Sequence, residues 1–428
     1  MTHHKFSTPF NNILQIKVAS SLLDDKRLVG GLELDFDQYI EKKSLLAYFP
    51  LHDDDAVESL ASRWYKSGHR APWAHPFDRI KNYFGEKVGL YYRFLAHYTE
   101  WLVPASAIGL VVQVVVAGMQ DFSCPLVPFY SLFVVIWAVT MTEQWIRVEK
   151  MSAMRWGMVG FEKIESDRPQ FRGEKMSSLI DGKPEIFFSH KKSRELLTKS
   201  FSIIAVMILL VIGTTASIYI IRNAMDRGPK DFANNSATIA SILNAVQIAV
   251  FNAIFSNLSV KLTDMENQRT NTGYEDSMIA KLFAFQFVNS YSSFFFIAFV
   301  AKFLEKSSSD ENVDNVGQCG AEDCMQTLGI NLLICLVVRL TSGNFQEFIL
   351  PMIKNACISQ MSSSSGGSKA EQEYRRPEYN FIKDSINDYS ELLIQFGYST
   401  LFVTALPVST LLSLINNHFE MRGDADKM

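Results

Sequence analysis

Long apolar runs separated by charged stretches make up most of this chain. Runs at about 101–119, 126–145, 201–221, 238–259, 279–302 and 326–350 approach or exceed the ~20 residues an α-helix needs to cross the hydrocarbon core. Two further runs, 386–405 and 407–422, are interrupted by Pro407 and by acidic residues and make weaker spans. The pattern predicts a mostly α, polytopic helical membrane protein with about eight spans over residues 96–428. Residues 1–95 differ. Leu14–Val18 and Leu32–Phe36 alternate at period two, which predicts short strands, and residues 55–65 read as helix. A small N-terminal α+β domain is therefore expected ahead of the transmembrane domain. Residues 1–55 hold no apolar run of the signal-peptide kind. The serine- and glycine-rich run Ser362–Ser368 reads as a flexible linker.

Charge sets the expected orientation. The stretch 146–200 carries 12 Lys and Arg, whereas 120–125 carries none and 303–325 is mainly acidic. The excess of positive charge on the cytosolic side then places the N-terminus, 146–200 and 351–385 in the cytosol. Asn234-Asn235-Ser236, a glycosylation sequon, falls on the opposite side, as do Cys124, Cys319 and Cys324. A disulfide among those three cysteines and free thiols are both open readings, and no CxxC pair points to zinc or redox chemistry. With a net charge of −4, no overall basic field invites nucleic acid. No nucleophile elbow, phosphate loop or His-containing metal motif marks an enzyme, and His52, His75 and His97 read as structural.

Five carboxylates sit in or beside the last three apolar runs: Glu347, Asp388, Glu391, Glu420 and Asp424. A carboxylate at membrane depth is costly and calls for a partner. Asp388 and Glu391 are three apart, and Glu420 and Asp424 four apart, so each pair shares one helix face. No basic residue stands at a spacing to neutralise them. Unpaired, such charges repel by an amount on the order of several kcal/mol. A hard divalent cation with oxygen ligands answers that need, so the set predicts one or two Ca2+ ions. Carboxylates resting in the headgroup layer are the plainer alternative for any one of the five.

Several longer motifs carry a resemblance. The run Pro76–Tyr91 (PFDRIKNYFGEKVGLY), Tyr48–Asp53 (YFPLHD), Arg168–Gly173 (RPQFRG), Leu262–Thr270 (LTDMENQRT), Tyr274–Ser277 (YEDS), Phe285–Asn289 (FQFVN) and the stretch from Ile394–Gly397 (IQFG) to Asn416-Asn417 are collinear with the anoctamin family, which the chain resembles from about residue 45 to its end. The resemblance implies a ten-span fold and gives Glu347, Asp388, Glu391, Glu420 and Asp424 as its calcium ligands. Where the family often has a further asparagine ligand, this chain has Gly343, and Val337 stands where some members have a hinge glycine. The chain ends at Met428, four residues after Asp424, and so reads as truncated. The homodimer implied for full-length members is in doubt for it.

The resemblance also implies a transported cargo, membrane phospholipid or chloride, moved along a groove lined by the third to seventh spans. Asn252, Ser256, Lys281, Gln286, Asn289 and Arg339 are the expected lining residues, with Asn244, Gln247, Asn257, Ser290, Ser292, Ser293, Thr341 and Ser342 as further candidates. Hydrogen bonding between helices is the other reading of so many polar residues. Lys281 and Arg339 are few cations for an anion path, so a calcium-activated phospholipid scramblase is expected first, a chloride or other ion channel second, and a membrane-contact tether third. The plasma membrane or the endoplasmic reticulum is the expected location.

Overall fold

The computed structural model describes residues 12–24, 31–32, 34, 36–64, 75–119, 124–165, 167–168, 170–177, 182, 184–226, 229, 235–301, 324–344, 368–376, 379 and 382–427. In chain order these form α1 (Asn12–Asp24), α2 (Phe36–Glu41), α3 (Asp54–Arg63), α4 (Phe77–Phe84), α5 (Glu86–Met119) and α6 (Leu126–Trp156). The strands β1 (Glu174–Ser177) and β2 (Pro184–Phe187) come next, then α7 (His190–Asp226), α8 (Ser236–Met265) and α9 (Asn271–Phe295). The last helices are α10 (Met325–Asn344), α11 (Lys369–Tyr374), α12 (Lys383–Leu401) and α13 (Ser409–Lys427). Among the described residues, five helices are long and apolar enough to cross a membrane: α5, α6, α7, α8, and α9 with its π-helical continuation Phe296–Ala301. The apolar part of α10, Met325–Thr341, is shorter, and α12 and α13 have 19 residues each and carry the acidic residues.

Local chemistry accounts for the helix ends. Asp53 caps α3 by accepting from the Ala56 backbone N–H at 3.2 Å, with Asp54 and Asp55 in the first turn. Thr270 caps α9 in the same way through Gly273. Gly157, at φ 72°, closes α6 in a left-handed conformation that a side chain would resist. Pro104 lies inside α5 without ending it, as membrane helices allow when neighbours satisfy the freed carbonyl. Pro407 lies in the turn between α12 and α13. Its carbonyl and the Tyr130 hydroxyl crowd Gly109 so closely that a methyl group there would collide with both, so α5 meets this turn backbone to backbone.

The N-terminal region departs from the expected strands. Leu14–Val18 lies within α1, and α2 begins at Phe36. Five alternating residues are too few to choose between periods of 2 and 3.6, and a helix satisfies its own backbone without a partner strand. The antiparallel hairpin lies instead at β1–β2, with Glu174 opposite Phe187 and Ser177 opposite Pro184. The expected domain division at residue 95 falls inside α5. Cys324 is disulfide-bonded, while Cys124 and Cys335 are free and buried. Cys319 and the sequon residue Asn234 lie outside the described residues.

Packing brings the start of α5, the start of α12 and the end of α13 together. Tyr91, Tyr92 and Leu95 of α5 share a buried cluster with Leu392 of α12 and with Met421 and Ala425 of α13. A polar ladder fastens the same three helices one or two turns further along. Gln395 donates to the Ser413 carbonyl (3.1 Å) and to Asn417 Oδ1 (2.7 Å), Asn416 donates back to Gln395 Oε1 (2.7 Å), and Asn417 donates to Thr99 Oγ1 (3.2 Å). Inside a membrane-spanning bundle such side-chain bonds hold helices whose apolar faces do not distinguish one another from lipid.

Candidate metal centre and polar path

The spacing of α13 decides which side chains face inward. Met421 and Ala425 fill the core cluster, so Glu420 and Asp424, each one position earlier, lie at its edge, 4% and 0% exposed. Asp388, one turn into α12, is 8% exposed and faces the same place. Tyr91 of α5 bonds Asp424 of α13 and packs against Tyr389 of α12, so three helices converge there. Two tyrosines hold the carboxylates directly. Tyr91 donates a hydrogen bond to Asp424 Oδ2, and Tyr379 donates to Asp388 Oδ2 at 3.0 Å. Burial first, then the Asp388 charge, hold the Tyr379 phenol far above its usual range, so it stays protonated as a donor.

Glu391 is placed differently. Its Oε1 accepts from Arg339 Nε of α10 at 3.2 Å, and its backbone carbonyl accepts from Arg339 Nη2 at 3.2 Å. The expectation that no basic residue neutralises the acidic set thus fails for Glu391. Arg339 lies 52 positions away, and only the packing of α10 beside α12 brings the two together. Glu347 lies outside the described residues. Among the described residues no group of three His, Cys, Asp or Glu side chains stands at ligand spacing. The donor set nevertheless fits a hard divalent cation. It consists of buried carboxylate oxygens from two helices, oriented by tyrosine O–H donors, with no sulfur or imidazole among them.

The expected path residues lie in the seams between α7, α8, α9, α10 and α12. Asn289 Nδ2 donates to Asn252 Oδ1 (2.9 Å) and to the Ile248 carbonyl (3.0 Å). Ser256 pairs with Asn387 of α12 at 3.4 Å, and Gln286 is buried. On α8, Ser241 bonds Asn331 of α10, Asn244 reaches Cys335 Sγ at 3.8 Å, and Gln247 meets Thr215 of α7 at 3.3 Å. The side chain of Ser342 lies outside the described residues, and Thr341 bonds its own helix. Lys281 is shut into an ion pair with Glu266 at 2.7 Å, their side chains 3% and 0% exposed. Ser277 and Thr263 accept from the same ammonium at 2.6 and 3.2 Å. On α9, Asn289 Oδ1, Ser290 Oγ and Ser292 Oγ are buried and find no hydrogen-bond partner among the described residues.

The bonds of Tyr91 and Tyr379 to the carboxylates have no signal in the sequence, since neither tyrosine stands out there from the other aromatics. Arg339 was legible as a polar intruder in a span but not as a partner of Glu391.

A sequence model of the family described as "Anoctamin: Calcium-activated chloride channel" matches residues 80–428. Anoctamin-7 of Mus musculus is 29% identical over 463 aligned positions, covering 91% of this chain and 54% of the relative. Anoctamin-4 of Homo sapiens is 28% identical over 506 positions, covering 99% of this chain and 53% of the relative. Anoctamin-3 of Mus musculus is 27% identical over 503 positions, covering 98% and 51%. The chain spans about half the length of these relatives. With a family match over most of its length and a bundle of membrane-crossing helices, this chain belongs to the anoctamin family.

Proposed function

We propose that this protein is a calcium-activated phospholipid scramblase, with its N-terminus in the cytosol and Asp388, Glu420 and Asp424, together with Glu347 and Glu391, as its calcium ligands. Calcium would neutralise the acidic set and draw α12 and α13 toward one another and toward α10. The observation that supports the cargo reading is the set of buried polar atoms on α9, Asn289 Oδ1, Ser290 Oγ and Ser292 Oγ, that find no partner among the described residues. Buried polar groups without partners cost free energy and call for an explanation, and a path that admits water and headgroups supplies one. Contacts between α8 and α10 through Ser241, Asn331, Asn244 and Cys335 close that side of the seam, so conduction requires their separation.

The family description favours a second reading, chloride conduction. The pairing of both candidate cations speaks for lipid instead. Lys281 is neutralised by Glu266 and Arg339 is bonded to Glu391, which leaves neither as an open counter-charge for an anion. Reconstitution of the chain into liposomes carrying a fluorescent lipid decides between them. Dithionite should bleach well beyond the outer-leaflet half when calcium is present and stop near half when it is chelated. Calcium-dependent chloride flux without lipid movement would overturn the scramblase reading, and neither activity would leave a tether.

Arg339 acts in this scheme as a tethered cation competing for Glu391. Arg339→Gln should lower the calcium concentration for half activation by about tenfold, or roughly 1.4 kcal/mol. A calcium titration of dye bleaching checks it, and a rise in the required concentration would show that Arg339 assists binding.

A further inference from the structure

The two tyrosines at the acidic centre come from parts of the chain far apart in sequence, yet they do the same thing. Tyr91 lies on α5 and reaches Asp424 across 333 positions. Tyr379 precedes α12 and reaches Asp388, nine positions on. Each phenol donates to Oδ2 of one carboxylate. A hydroxyl donor on one oxygen sets the rotamer and plane of the carboxylate, and hence where its other oxygen points. The Tyr91 phenol is pinned, and Tyr379 is half-buried. Tyr91 is 2% exposed and packs edge-on against Tyr92 and Tyr389, with ring centroids at 5.3 and 5.0 Å. Tyr379 follows α11, which is fastened to the N-terminal region. Lys369 Nζ donates to the His52 carbonyl (2.6 Å) and to Asp54 (2.7 Å), and Glu373 accepts from the His52 backbone N–H (3.2 Å).

We propose that Tyr91 and Tyr379 are positioning residues for calcium, presenting Asp424 and Asp388 to the ion from two separate parts of the chain. The inference rests on the assignment of those carboxylates as ligands. Removing one such hydroxyl leaves the ligand in place but lets it turn, and outer-shell partners of this kind are worth about 10–100-fold in metal affinity. Tyr389 supplies the control. It belongs to the same aromatic cluster, but its hydroxyl makes no hydrogen bond to the acidic set among the described contacts.

The test is calorimetric titration of calcium into the purified full chain in detergent, with the melting temperature of each calcium-free variant measured alongside. Tyr379→Phe and Tyr91→Phe should each weaken binding by about tenfold or more, while Tyr389→Phe stays within about twofold. Asp388→Asn with Asp424→Asn should remove most of the binding. If the Asn variant loses calcium while both Phe variants bind like the parent, the positioning role is overturned and the ligand assignment stands. If the Asn variant also binds like the parent, the ligand assignment itself falls. A purely structural role for the tyrosines predicts lower melting temperatures with unchanged affinity, and that result overturns the proposal. Should Tyr91→Phe fail to purify, Tyr379→Phe decides alone, since its phenol lies outside the packed bundle core.

Discussion

With Asp388→Asn and Asp424→Asn combined, the calcium concentration for half-maximal lipid movement rises by about 100-fold or more, roughly tenfold for each carboxylate at 1.4 kcal/mol. Asparagine keeps the acceptor that each tyrosine uses, so the geometry survives while two of the negative charges disappear. The same substitution should raise the melting temperature of the calcium-free protein. Asp388, Glu420 and Asp424 are all at most 8% exposed on two packed helices, so removing two of three like charges relieves repulsion that solvent screens poorly. Calcium should then no longer shift the melting temperature. Loss of activation together with a lower calcium-free melting temperature would mean that the carboxylates serve the fold rather than an ion. An unchanged calcium response would remove the site altogether.

Lys281→Met is expected to destabilise the protein by about 3–5 kcal/mol, because it strands the Glu266 carboxylate in the bundle. Both side chains are almost wholly buried, and Ser277 and Thr263 complete the shell around the ammonium. The pair fastens the turn between α8 and α9, where Asp167 and Arg168 also dock. Arg168 lies 3.9 Å over the Tyr274 ring, and Asp167 pairs with Arg269 at 2.7 Å. The double variant Lys281→Met with Glu266→Gln should recover most of the loss, since breaking a buried pair costs more than replacing it. Thermal unfolding in detergent checks both. If Lys281→Met melts like the parent, this pair is not what fastens the turn.

Part of this architecture is legible in local pattern. A run of some twenty apolar residues has few options but a membrane-spanning helix, because every backbone group must be satisfied within the segment. The expected spans at 101–119, 126–145, 201–221, 238–259 and 279–302 accordingly fall within or nearly within α5 to α9, which begin or end further out where charged residues extend the helices beyond the apolar windows. Acidic pairs three or four apart share a helix face by geometry alone, and Glu420 with Asp424 does so on α13. At Leu14–Val18 local pattern misleads, because both periods fit so short a window.

Partners across helices belong to another level. No periodicity joins Arg339 to Glu391, Lys281 to Glu266, or Tyr91 to Asp424 across 333 positions. Charge and hydropathy along the chain establish that buried ionisable groups must be compensated, and they name the acidic residues of the last spans but not Glu266. Which neighbour compensates each one is settled by how helices pack, because the energy of a buried charge depends on a few ångströms of three-dimensional distance that sequence separation does not encode.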